Sequence, residues 1–231
     1  MQAQHEHNFA KQSTKMKKIL FTGLICIIAV LIIHAQESVI KRETKLPPRV
    51  TKADIESLPQ ETRNKGKIID AVRWTDDDGE HTLVTTETGE IGGAEHTKSA
   101  GLFAFHYLSR QNKNELTWKM NDAIKDCPVD VEVGFVRNTF AVTDIDKNGK
   151  AEIWLMYTTA CRGDVSPANM KIIMYESGKK YAARGTNKVK ISDTESEGGE
   201  YVFDDAFKNA PSAFRHYADK LWQKNILQKL D

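Results

Sequence analysis

Asp144, Asp146, Asn148 and Glu152 fall at alternating positions along the stretch TDIDKNGKAEI. Side-chain oxygens at positions one, three, five and nine of a short loop suit a hard divalent cation, which takes six to eight oxygen ligands. The carbonyl of Lys150 would supply a further oxygen, and Gly149 permits the tight reversal. The expected ion is Ca²⁺, held by Asp144, Asp146, Asn148, Lys150 and Glu152. Three carboxylates drawn together repel one another, and a divalent cation offsets that repulsion. A plainer reading needs no metal, because Asn148-Gly149 is a hairpin turn pair and the aspartates beside it are turn formers. An EF-hand is excluded, since its loop needs glutamate at position twelve, where this chain has Leu155.

Other chemistry is harder to place. GxSxG, HExxH, P-loop and CxxC patterns are all missing from the chain. Of the histidines, His81, His96, His106 and His216 lie beyond the amino-terminal segment, and none has the close spacing of a zinc motif. Trp74, Trp118 and Trp154 offer surfaces that stack on sugar rings, yet each alternates within a strand-like run and reads first as core. Arg162-Gly163-Asp164 follows Cys161 and reads as a turn.

The elements that must carry these residues are mostly strands. KIIDAVRW and EHTLVTTE flank Asp76-Asp77-Asp78-Gly79, and an Asp-Gly pair between β-rich runs signals a hairpin. Residues 87–100 read as a loop, 102–109 as an aromatic strand, and 111–114 as a turn into ELTWKMND. Continuous arms over 132–142 and 152–158 enclose the acidic loop, and residues 171–175 and 180–184 form another pair. KADIESL, ahead of Pro59, reads as a short helix. After Pro211, residues Phe214, Tyr217, Ala218, Leu221 and Trp222 recur at helical spacing. The expected class is α+β: antiparallel hairpins with a carboxyl-terminal amphipathic helix packed on the sheet.

The amino terminus reads as an export signal over residues 1–35. Lys15, Lys17 and Lys18 precede an apolar run from Ile19 to Ile33, and Ala35 is the expected cleavage point. A retained membrane helix competes with cleavage, although it would need about 20 apolar residues. Residues 36–51 read as a flexible leader, and 52–231 as a single globular domain. Without the signal the chain carries 29 basic and 31 acidic side chains. That balance excludes a basic surface for nucleic acid, and leaves membrane contact to the signal segment. Cys127 and Cys161 then remain, and in an oxidising compartment they favour a disulfide.

Two resemblances add to this reading. The DxDxNG loop between strands is similar to the calcium loops of FG-GAP and related β-propeller repeats, over about a dozen residues. A propeller needs four or more blades, whereas this chain has one match and a degenerate echo from Asp76 to Glu80. The second resemblance is carried by VTDIDKNGKAEIWLMY, TACRGDVSPANMKIIMYE, KYAARGT and EYVFDDAFKNAPSAFRHYADKLW. These resemble a family of small exported bacterial surface-polysaccharide-biosynthesis proteins. The resemblance implies a periplasmic or cell-surface protein whose partner is surface polysaccharide or another envelope component, and it implies no catalytic residue. Two functions follow as expectations: a non-catalytic envelope protein that binds or helps assemble glycan, or a glycan-processing hydrolase using two unidentified carboxylates.

Overall fold

Apolar residues alternate with polar ones over 115–122 but run unbroken through Leu102–Phe105, Ile153–Tyr157 and Ile172–Tyr175. Alternation marks a strand with one covered face, and an unbroken run marks a strand covered on both. The computed structural model, which describes residues 48–110 and 113–228, has this layering. The predicted signal, and the leader as far as residue 47, lie outside the described residues.

The strands are β1 (Thr51–Lys52), β2 (Lys67–Asp76), β3 (Gly79–Glu87), β4 (Ile91–Gly92), β5 (Lys98–Arg110), β6 (Lys113–Cys127), β7 (Asp130–Phe135), β8 (Ala141–Thr143), β9 (Glu152–Arg162), β10 (Asn169–Glu176) and β11 (Lys179–Thr186). Three short strands follow, β12 (Lys188–Lys190), β13 (Ser196–Gly198) and β14 (Tyr201–Phe203). Helix α1 is Gln60–Arg63, α2 is Asp205–Lys208 and α3 is Ser212–Asn225. One antiparallel sheet orders β1, β2, β3 and β5, with β4 and β6 also paired to β5. The other orders β14, β11, β10, β9 and β7, with β8 also on β9. β12 and β13 pair separately.

The two sheets share a core. Trp74, Leu83, Leu102, Ala104 and Met120 from the first sheet meet Ile153, Leu155, Tyr157, Ile173 and Tyr175 from the second. The alternate residues of β9 to β11, among them Trp154, Met156, Ile172, Met174 and Tyr181, form a second buried cluster with Phe207, Phe214, Ala218 and Trp222. Burial on both faces is therefore why β9 and β10 carry no polar alternation.

The Cys127–Cys161 disulfide is present and joins the end of β6 in one sheet to β9 in the other. Its closed loop of about 35 residues contributes roughly 4 kcal/mol in the chain-entropy account, less any strain. Replacing both cysteines by serine is expected to lower unfolding free energy by about 2–4 kcal/mol, read from urea midpoints. A midpoint equal to wild type would mean that this bridge adds nothing.

Three expectations need correction. KADIESL is not a helix: Thr51–Lys52 pairs with Arg73 and Val72, and only Ile55–Ser57 forms a 3₁₀ turn before Pro59. So short a segment cannot repay helix nucleation, and the pairing hydrogen bonds of β2 take its start instead. The 87–100 segment is not all loop, since Lys98–Ala100 extend β5 and Ile91–Gly92 pair with it. The arm over 132–142 is broken, because residues 136–140 leave the sheet between β7 and β8. There Asn138 takes a positive φ of 60° and the Thr139 hydroxyl donates to the Val136 carbonyl, 2.6 Å away.

Candidate metal centre

Three hairpin turns meet at one end of the sandwich. They are the β2–β3 turn at Asp76–Gly79, the long β8–β9 loop and the β10–β11 turn at Glu176–Lys179. The Asp77 amide donates to the Gly149 carbonyl (2.9 Å), and the Ala151 amide donates to Asp76 Oδ2 (2.8 Å). Lys150 pairs with Asp78 at 3.0 Å, and the Ser177 hydroxyl donates to the same carboxylate (2.8 Å). The acidic loop is thus held by its neighbours as well as by its own turn.

Within the loop, short polar side chains coil the backbone around themselves. Asp144 Oδ2 accepts from the Gly149 amide (3.2 Å), Asp146 Oδ1 from the Asn148 amide (3.1 Å) and Asn148 Oδ1 from the Lys150 amide (2.8 Å). Gly149 sits at φ +85°, a conformation that side chains disfavour. Glu152, fully buried at the start of β9, accepts from the Thr143 hydroxyl (2.6 Å) and the Ile145 amide (3.0 Å). Burial pushes its carboxyl above the ordinary range, against these hydrogen bonds, and the charge of Asp146 pushes the same way.

Asp144, Asp146 and Glu152 each place a carboxylate oxygen within 4.8 Å of the others. Asp144 Oδ1 is buried and has no hydrogen-bond partner. Among the described residues none of the three carboxylates has an ion-pair partner. The other two expected ligands, Asn148 and the Lys150 carbonyl, belong to the same loop. The Asn148 side chain bridges Asp146 (3.1 Å) and Glu176 (2.7 Å) through its amide nitrogen, with its oxygen on the Lys150 amide. The Lys150 side chain points to Asp78. Leu155, at position twelve, is buried in the inter-sheet core.

A second constellation lies beside this corner, and spacing along the chain hid it. His81 Nε2 is 2.7 Å from Asp76 Oδ1, and His81 Nδ1 is 3.0 Å from His106 Nε2. His106 Nδ1 in turn meets the Thr117 hydroxyl. With neutral imidazoles and an ionised Asp76, proton count leaves one direction: His81 donates to Asp76, His106 to His81, and the Thr117 hydroxyl, which also lies 3.1 Å from the His106 carbonyl, to His106 Nδ1. Both imidazoles are buried, and Trp74 stacks on His81 while Trp118 stacks on His106. Cross-strand register explains the stack, since Trp74 faces His81 and His106 faces Trp118. A bulge opposite His106 re-aims Thr117 toward the ring.

Burial lowers His106 to about 3, with the nearby His81 pushing the same way and Asp76 opposing. At neutral pH such an imidazole is a weak base, and it serves as a hydrogen-bond link. The signal for this chain was in the sequence as the tight Asp76–Gly79 turn, which sets Trp74 across from His81. The Arg162-Gly163-Asp164 tripeptide is tied down, Arg162 to Glu132 (2.8 Å) and Asp164 to Ser166 (2.6 Å).

Comparison of the chain with protein-family models, curated proteins and solved structures gave no match.

Proposed function

We propose that this is an exported, non-catalytic envelope protein that binds or helps assemble surface polysaccharide, with calcium holding its β8–β9 loop. The observation that carries the export half is the Cys127–Cys161 disulfide, which suits an oxidising compartment. The glycan half rests on the resemblance of the segments from Val142 onward to surface-polysaccharide-biosynthesis proteins. In this reading the carboxyl-terminal helix lays its apolar stripe on the second sheet as a structural layer. The test is the surface polysaccharide profile of a strain lacking the protein, beside the same strain complemented. Altered glycan that complementation restores supports the reading, and an unchanged profile overturns it. Purified protein that shortened or modified the glycan would favour a hydrolase instead.

The residues present fit a calcium ion. Asp144 Oδ1 is a buried carboxylate oxygen without a partner, and Asp146 and Glu152 bring oxygens within 4.8 Å. The ion would neutralise three close carboxylates and so stabilise the loop, with no chemical step asked of it. At millimolar calcium the expected gain is about 1–2 kcal/mol for a site in the affinity range of extracellular modules. A thermal melt with calcium and then with chelator reads this as a midpoint shift of a few degrees, absent in Asp144→Asn. Identical wild-type midpoints in both conditions would remove the metal.

A further inference from the structure

One irregularity in each sheet faces a common void. In the first sheet, the β2–β3 register shifts between Ile68 and Asp70, a bulge of the kind that re-aims a side chain. In the second, residues 136–140 leave the sheet, pinned by the Val136 amide on the Met156 carbonyl (2.8 Å) and by Thr139 on Val136. Between them lies a cavity of about 310 Å³, lined by Asp70, Phe135, Arg137, Asn138, Phe140 and Leu155 among others. It stands apart from the acidic corner and shares no residue with it.

We propose that this cavity binds one neutral pyranose ring. The inference rests on the glycan reading above and names the part of the protein that touches the sugar.

The polar groups match a diol. The Asp70 carboxylate accepts, among the described residues, only from the Thr85 hydroxyl, at a long 3.4 Å, which leaves acceptor capacity. Among the described residues the side chains of Arg137 and Asn138 have no hydrogen-bond or ion-pair partner, and both are exposed at the cavity mouth. Each sugar hydroxyl is a donor and an acceptor at once. One hydroxyl of a vicinal pair can donate to Asp70 while its neighbour accepts from the guanidinium of Arg137, and the Asn138 amide offers both functions. Phe135 and Phe140 supply apolar walls for the C–H face of the ring.

Charge and size narrow the class. Asp70 and Arg137 offset one another, so an anion meets a carboxylate and a cation meets a guanidinium. Burial pushes the Asp70 carboxyl upward, while the Thr85 hydrogen bond and the charge of Arg137 oppose it. The volume is at the lower end of the roughly 300–1,000 Å³ typical of small-molecule sites, which suits one ring and not a stretch of chain. The exposed mouth lets that ring remain part of a longer glycan.

The test uses the full chain with the methyl glycosides of glucose, galactose, mannose and N-acetylglucosamine, together with glucuronate and free alanine, in titrations read by saturation-transfer NMR. At least one neutral glycoside is expected to bind in the millimolar range. Asp70→Asn and Arg137→Ala are each expected to weaken it about tenfold or more. Arg137 is exposed, so its variant keeps the wild-type melting midpoint and separates binding from folding. Binding of none of the neutral glycosides, preference for glucuronate or alanine, or affinity indifferent to both substitutions would each overturn the site. Purified envelope polysaccharide tells this failure from that of the parent reading. If the polysaccharide binds wild type and both variants equally, the cavity is wrong and the reading stands. If a glycoside binds but the polysaccharide does not, the cavity stands and the reading falls.

Discussion

Alanine in place of Trp154 is expected to cost about 3–5 kcal/mol of stability, the range for deleting a large buried aromatic. Trp154 is fully buried on β9, and its ring lies 4.5 Å from Tyr217, 6.2 Å from Phe207 and 6.4 Å from Phe214 between centroids. It also reaches the acidic corner. Its indole N–H donates to the Thr143 hydroxyl (2.9 Å), which donates to Glu152 (2.6 Å). Removing the ring therefore empties the second core and loosens the bracket on the β8–β9 loop. Trp154→Phe keeps most of the apolar volume and loses the hydrogen bond, so it should cost less than half as much. Urea denaturation of the two variants beside wild type measures both steps. A Trp154→Ala midpoint within error of wild type would contradict the buried placement of this ring.

The second large effect is acid destabilisation through the imidazole chain. His106 has an ordinary value near 6.5 when unfolded and about 3 when folded, chiefly because burial disfavours its charge. Between those values the unfolded chain binds the extra proton, so stability falls as pH falls. The contribution is fully present above pH 6.5 and is lost progressively toward pH 3, on the order of 5 kcal/mol in total. Asp76 acts in the same direction at the lower end. Burial pushes its carboxyl up, but hydrogen bonds from His81 and from the Ala151 and Asp78 amides outweigh this and hold it below 3.8. Its contribution is present above that value and is lost as pH falls through the folded one. In His106→Gln the stability of the protein should decline less steeply across this window, as read by urea midpoints at successive pH values. Equal slopes for variant and wild type would show that His106 does not carry the effect.

Much of the frame was legible in the chain. The Asp76–Gly79 turn, the Lys171–Arg184 hairpin and the helix after Pro211 are local patterns, set by turn chemistry and by the period of apolar residues. The two cysteines were legible as a pair because few alternatives remained. The acidic loop was legible for the same local reason, since its acidic residues and turn pair are contained in nine residues.

What stayed hidden depends on neighbours distant in sequence. Nothing between Glu132 and Val142 announces that Val136–Phe140 leaves the sheet. The Val136 amide donates to Met156, the Thr139 hydroxyl donates back to the Val136 carbonyl, and Glu87 accepts from the Phe135 amide from another strand (2.7 Å). The link from Asp76 through His81 and His106 to Thr117 spans four strands, β2, β3, β5 and β6, and register with a bulge creates it. Whether a strand is covered on one face or both could be read from alternation. Which carboxylates share a corner, and which irregularities open onto one cavity, were decided only when the sheets stacked, because the distances involved are set by packing across the chain and not along it.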